Sequence, residues 1–240
     1  MQSGIKGNLT INGYGSSNGG HFEHVTLNGR GTINGSLECL RFECNGSGTV
    51  HGDLKMEEAK ISGSGKIKGS VDGNEFLIEG RGTVSESVIL AKKMKLSGSG
   101  MIGGNLKADE IRINGKATIA NDCEAENFKA DGQFTIGGLL NADRIEIRLH
   151  GESSVTEMGG QVIKIKGIKN RFLQLFKTFF PVQLTAKLIE GDDLELESTK
   201  ADVVRGTNVT IGLDCEIDLV EYKGTYKQDK SAKVKEKKKI

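Results

Sequence analysis

Tryptophan is absent from this 240-residue chain, proline occurs once (Pro181), and aromatic residues make up only 5 % of it. A single proline excludes a proline-rich stalk or linker. No run of eighteen apolar residues occurs, which excludes a membrane-spanning helix of ordinary length. The start, MQSGIKGN, has no signal-peptide profile, so a cytoplasmic location is expected. Lys plus Arg (33) balance Asp plus Glu (32), and a formal charge of +1 gives no global basic footprint for nucleic acid. The four cysteines, Cys39, Cys44, Cys123 and Cys215, form no CxxC pair, so the usual zinc spacing is missing. Neither a GxxxxGK[ST] loop nor a Ser–His–Asp grouping at a supporting spacing is present. No cofactor, metal or catalytic set is indicated, and the chain reads as a non-enzyme.

Glycine is what the chain has in excess, 34 residues, and it recurs periodically. Rows of 17 align with one another: VTLNGRGTINGSLECLR from Val25, FECNGSGTVHGDLKMEE from Phe42 and AKISGSGKIKGSVDGNE from Ala59. Further rows begin at Phe76, Met94, Ile111 and Phe128, and an irregular one at Leu9 precedes them. Apolar residues fall at row positions one, three, nine, thirteen and fifteen. Position three holds Leu27, Cys44, Ile61, Ile78, Leu96 and Ile113; position nine holds Ile33, Val50, Ile67, Val84, Ile102, Ile119 and Ile136. Position thirteen adds Leu37, Leu54 and Val71. Inward residues two apart alternate as in a strand, not at a helical period. Asn, Asp or Ser usually precedes the position-five Gly, which predicts corners where glycine takes positive φ. Each row is therefore three short strands around tight corners. Stacked in parallel, the rows make an all-β solenoid with one narrow apolar interior, in which no coil is stable without its neighbours.

The row pattern divides the chain into a main solenoid over 1–167, a Phe-rich segment over 168–182, further irregular coils over 183–223 and a lysine-rich tail over 224–240. In the second of these, Phe172, Leu173, Phe176, Phe179 and Phe180 share one face of a short amphipathic helix ending at Pro181, with Lys169, Arg171 and Lys177 beside it. Three roles suit it: a cap over an open solenoid end, an amphipathic membrane-surface helix, or a helix for a partner's groove. The tail is apolar-poor and reads as disordered.

Cys39, Cys44 and Cys123 fall at inward positions and behave there as small hydrophobes. His21 and His24 lie near Glu23 in the irregular first row, a surface or corner setting. Thr32, Thr49 and Thr83 share position eight, but Lys66 and Met101 interrupt them, and the outer positions read as a solvated mixture of charges.

The strings NGRGTING at Asn28–Gly35 and NGSGTVHG at Asn45–Gly52, with the coil length of 17, resemble the bactofilin family over roughly residues 9 to 161. The chain resembles a longer, divergent member, with the Phe-rich segment and the second coil block added. What the resemblance implies is a right-handed three-sided β-helix that assembles end to end, without nucleotide, into nonpolar filaments. It implies as partners a second copy or a related subunit, the inner face of the cell membrane, and membrane-associated machinery for cell shape, polarity or flagellar and motility assembly. Two alternatives stand beside it. A hexapeptide-type acyltransferase needs 18-residue coils and a His on an excursion loop, which the rows lack. A binding module that never polymerises has the same sequence signature as a filament former.

Overall fold

The computed structural model describes residues 7–167 and 182–240, and among these residues regular structure is strand, with no helix. The chain forms two compact units, Met1–Ala120 and Asn121–Ile240. Each is a parallel β-solenoid.

The first unit holds β1 (Leu9–Ile11), β2 (Tyr14–Leu27), β3 (Arg30–Cys44), β4 (Ser47–Val50), β5 (Leu54–Ile61), β6 (Ser64–Ile67) and β7 (Val71–Ile78). It continues with β8 (Arg81–Val84), β9 (Val88–Leu96), β10 (Ser99–Ile102), β11 (Leu106–Lys107), β12 (Glu110–Ile113) and β13 (Lys116–Ile119). Every pairing is parallel and joins a strand to its equivalent one coil on, as Val50 to Ile67 and Ile61 to Ile78. The three expected sides of each middle coil are carried by two strands. A four-residue strand such as β4 alternates with an eight-residue strand such as β5, which turns a corner without losing its ladder. At that corner Leu40, Glu57 and Asn74 step out of the pairing and the register resumes at Arg41, Glu58 and Glu75. The one-residue excess of the row from Phe76 sits at Ala91–Lys92, where Gly73 pairs with Leu90 but Glu75 pairs with Lys93.

The position-five glycines have a different cause from the one expected. Positive φ among the described glycines is confined to Gly13, Gly20 and Gly35. At Gly63 the constraint is instead close approach: a Cβ there would lie 2.0 Å from the carbonyl oxygen of Gly46 on the preceding coil. Gly is kept at this corner because backbone stacks directly on backbone.

The second unit holds β14 (Cys123–Leu149), β15 (Ser153–Lys166), β16 (Leu184–Leu196), β17 (Thr199–Ile211), β18 (Glu216–Tyr222), β19 (Tyr226–Gln228) and β20 (Lys233–Lys239). Its coils are less uniform. Thr135 pairs with Ser154, Leu184 with Thr199, Lys200 with Glu216 and Val209 with Tyr226. Phe128 and Phe134 meet edge to face at 5.7 Å in its interior, giving it an aromatic filler.

The end of the chain corrects the expectation of disorder. β20 pairs in parallel with β18 from Glu216–Lys233 to Tyr222–Lys239. Lysine-rich composition argued against a core, but alternate lysines stand over acids of the coil beneath. Lys233 reaches Glu216 at 2.8 Å and Lys235 reaches Asp218 at 2.7 Å. Ladder hydrogen bonds and this charge match order a strand that buries little apolar surface.

Candidate functional site

A solenoid offers two kinds of site, its interior column and its outer faces, and the stacking register decides both. Inside the first unit Ile33, Val50, Ile67, Val84, Ile102 and Ile119 are successive ladder partners. All six are at most 3 % exposed. Leu27, Cys44, Ile61, Ile78, Leu96 and Ile113 line a second buried column, and Leu37, Leu54 and Val71 a third; Ile136 is buried in the second unit. These side chains fill the interior, leaving no chemistry there but packing.

Corners carry polar ladders. Asn45 Nδ2 donates to Asn28 Oδ1 at 2.9 Å, and Asn28 Nδ2 donates to Asn12 Oδ1 at 2.8 Å. At another corner the Ser70 amide and hydroxyl both donate to Asp53 Oδ1, at 2.8 and 2.9 Å. Those two bonds to its charged form hold the Asp53 carboxyl below its ordinary pKa. The ladders lock coil to coil in register, as the apolar columns do.

The cysteines are all free thiols and all buried. Burial pushes Cys39 up to about 12, with the neighbouring Glu38 charge adding to it, and pushes Cys215 up to about 11. Cys44 and Cys123 are raised by burial too. Thiols held protonated are poor nucleophiles and poor metal ligands. His21 Nδ1 lies 3.2 Å from Glu38, and His24 Nδ1 3.2 Å from Asn8. Among the described residues no three His, Cys, Asp or Glu side chains cluster as metal ligands.

Two of the outer faces of the first unit mix charges, and one of them pairs them coil to coil. Arg41 meets Glu58 at 2.6 Å, and Lys93 meets Glu110 at 3.0 Å. Arg112 also pairs with Glu110. Exposed pairs of this kind contribute little to stability, but they fix which coil faces which. The third face, carried by the four-residue strands, is different in sign; the row alignment had merged it with the others as one solvated mixture.

Phe172, Leu173, Phe176, Phe179, Phe180, Lys169, Arg171 and Lys177 lie outside the described residues, as does the helix expected over most of 168–182. Their flanks are informative. β15 pairs with β16 from Ser153–Leu184 to Ile165–Leu196, a separation of 31 residues, whereas the next coil repeats after 15. β15 also pairs with β14 on its other side. The ladder therefore does not end at the Phe-rich stretch, which is inserted between two directly stacked coils.

Among the described residues no helix is long and apolar enough to cross a membrane. Two uncharacterised proteins of Bacillus subtilis (strain 168) resemble parts of the chain. YhbE is 48 % identical over 100 residues, 41 % of this chain and 42 % of its own. YhbF is 39 % identical over 104 residues, 43 % of this chain and 42 % of its own. The match thus spans about two-fifths of the length of these relatives. No solved structure matches the chain. Residues 47–124 match the bactofilin family, described as polymer-forming cytoskeletal. This stretch opens at β4 and runs along the most regular coils of the first unit, so the likeness to the bactofilin family covers about a third of the chain.

Proposed function

We propose that the protein is a non-enzymatic scaffold that self-assembles end to end into filaments, without nucleotide, and organises machinery at the inner face of the cell membrane. The observation that carries this reading is the coincidence of the bactofilin match, residues 47–124, with an in-register parallel ladder. A coil with neighbours on both sides has its backbone donors and acceptors satisfied; an open one offers a template for another chain. Extension then proceeds by the same hydrogen bonds that hold the fold, and no phosphate cleavage is needed to drive it. A second copy or a related subunit supplies the next coil equally well.

Membrane contact through the Phe-rich segment is the second part of the proposal. It is supported by the insertion of that segment between stacked coils and by Lys169, Arg171 and Lys177 beside the aromatic positions. Sedimentation and negative-stain microscopy of the purified full chain test assembly. Filaments that form equally with and without ATP or GTP are the expected result. A monodisperse monomer at every concentration would replace the filament reading with that of a binding module that does not polymerise. Scaffolding of cell shape, polarity or motility assembly is read from the mislocalisation that follows loss of the protein.

A further inference from the structure

The third face of the first unit is built from Arg30–Ile33 of β3 and from β4, β6, β8, β10 and β13, six strands in unbroken parallel register. At a strand spacing of about 4.8 Å they cover about 24 Å. The register continues one residue past each strand, where the amides of His51, Lys68, Ser85, Gly103 and Ala120 donate to Ile33, Val50, Ile67, Val84 and Ile102. Three outward columns result, and no carboxylate stands in any of them. They carry Arg30, Lys66, Lys68, Arg81 and Lys116 among hydroxyl and small side chains. Residues 7–120 contain thirteen Lys and Arg and twelve Asp and Glu, so this face takes five of the cations and none of the anions.

No ion pair within the described residues holds those cations. Lys66, Arg81 and Lys116 have no carboxylate partner there, Arg30 lies over the Tyr14 ring at 5.9 Å, and Lys68 Nζ contacts His51 at 3.3 Å. Of the carboxylates at the bordering corners, Asp53 holds Ser70 and Glu79 meets Lys60 at 3.0 Å, while Glu86 lies just past Ser85 at the edge of the face. Thr32, Thr49, Thr83 and Thr118 stand half-buried between the basic columns, presenting donors suited to phosphate oxygens. The same face carries Tyr14, 85 % exposed, and Met101, 55 % exposed, the two most exposed large apolar side chains among the described residues.

We infer that this carboxylate-free face docks on the surface of an anionic phospholipid bilayer. Charge complementarity selects a polyanion, and flatness suits an extended plane. Tyr14 and Met101 select the bilayer over nucleic acid, because an interface accepts a phenol and a thioether that a duplex leaves in water. The inference shares with the proposed function only the membrane as partner; it rests on different residues and needs neither filaments nor the Phe-rich segment.

The test is co-sedimentation of the full chain with vesicles of about 30 % phosphatidylglycerol in phosphatidylcholine, against pure phosphatidylcholine. The variant is Lys66→Gln/Lys68→Gln/Arg81→Gln. The control is Arg41→Gln/Lys55→Gln/Lys92→Gln, which removes the same charge outside this face and leaves the Lys60–Glu79 pair at its border intact. At about fivefold per basic residue near the surface, the face variant should bind roughly 100-fold more weakly. The control should stay close to wild type, and raising salt from about 0.1 to about 1 M should release the wild type. Equal loss in both variants, indifference to phosphatidylglycerol, or preference for duplex DNA over vesicles would each overturn the inference. Phe172→Glu/Phe176→Glu separates the two membrane readings. If it abolishes binding while the face variant binds normally, the face is refuted and the Phe-rich segment stands; the reverse pattern refutes the segment and supports the face.

Discussion

Replacing Gly46 by alanine would put a Cβ 2.1 Å from the carbonyl oxygen of Gly29, with the Asn28 oxygen and the Gly29 carbonyl carbon both at 2.9 Å. A tolerable carbon–oxygen contact is about 3.3 Å or more, so the two coils must part by ~1.2 Å at this corner. The atoms in the way belong to backbone and cannot rotate aside. Gly29 oxygen accepts from the Ser47 amide at 2.8 Å, and Leu27 oxygen accepts from Asn45 and Gly46 at 2.9 and 3.2 Å. Parting the coils stretches all three bonds, each contributing about 1 kcal/mol, and adds strain; the expected loss is about 3–5 kcal/mol. Gly48→Ala, two residues on, supplies the comparison. Its Cβ would meet Cys44 Sγ and Leu27 Cδ1, both at 2.8 Å, which are side-chain ends able to shift. Overpacking of about 1–3 kcal/mol, partly offset by about 0.5–1 kcal/mol from a less flexible unfolded chain, leaves about 1–2 kcal/mol. Coil arrays open locally, so the readout is native-state hydrogen exchange of the Ser47 and Ser64 amides in each variant. Losses equal within about 0.5 kcal/mol, or a larger loss for Gly48→Ala, would refute close backbone approach as the reason for glycine at this corner.

Three further outcomes follow from the geometry. The thiols of Cys39, Cys44, Cys123 and Cys215, held protonated by burial, should resist alkylation at pH 8 until the chain is unfolded; because their folded pKa values lie above the ordinary 9.0, stability should fall as pH rises beyond 9, and rapid labelling of native protein would contradict this. Lys233 lowers the pKa of Glu216, so its stabilisation of β20 is present above the ordinary 4.5 and is lost as pH falls through the lower folded value. Glu216→Gln should therefore reduce amide protection of β20 at neutral pH and flatten its acid dependence, whereas unchanged protection would show that the ladder alone orders the strand. Replacing residues 168–181 by a short Gly–Ser linker should leave exchange protection in β15 and β16 within about 1 kcal/mol of wild type, since loop length changes closure entropy slowly; collapse of that pairing would mean the segment holds the second unit together.

Interior positions were legible because inward residues two apart and a fixed repeat are one-dimensional signals. Ile33, Val50 and Ile67 stack as their row position implies. The cause of the corner glycines was not legible: a sequence row shows Asn followed by Gly, which suits both a positive-φ turn and a backbone-on-backbone contact. Only the position of the preceding coil's carbonyl separates them. The order of the tail was hidden for a related reason. KVKEKKK is poor in apolar residues by itself, and its acidic partners, Glu216 and Asp218, lie one coil back. The insertion at 168–181 was visible as a change in composition, but its place inside a continuing ladder needed the pairing of Ser153 with Leu184.

The basic face escaped the sequence for the reason that makes solenoid surfaces suited to recognition. Along the chain Lys66 and Arg81 are separated by Asp72, Glu75 and Glu79, and no row shows a basic excess of more than one charge. Coiling sorts residues by row position, so a weak bias at positions six, eight and ten is copied every ~4.8 Å and becomes a stripe of one sign. Acids are not scarce in the first unit; they are confined to the other faces and the corners, where Arg41, Lys60 and Lys93 pair with them. With acids paired on one face and mixed with bases on another, the third face is left uncompensated, and its field adds over coils instead of cancelling. A unit whose charges nearly balance in sum can thus present one strongly cationic face while the rest of its surface carries an excess of acid.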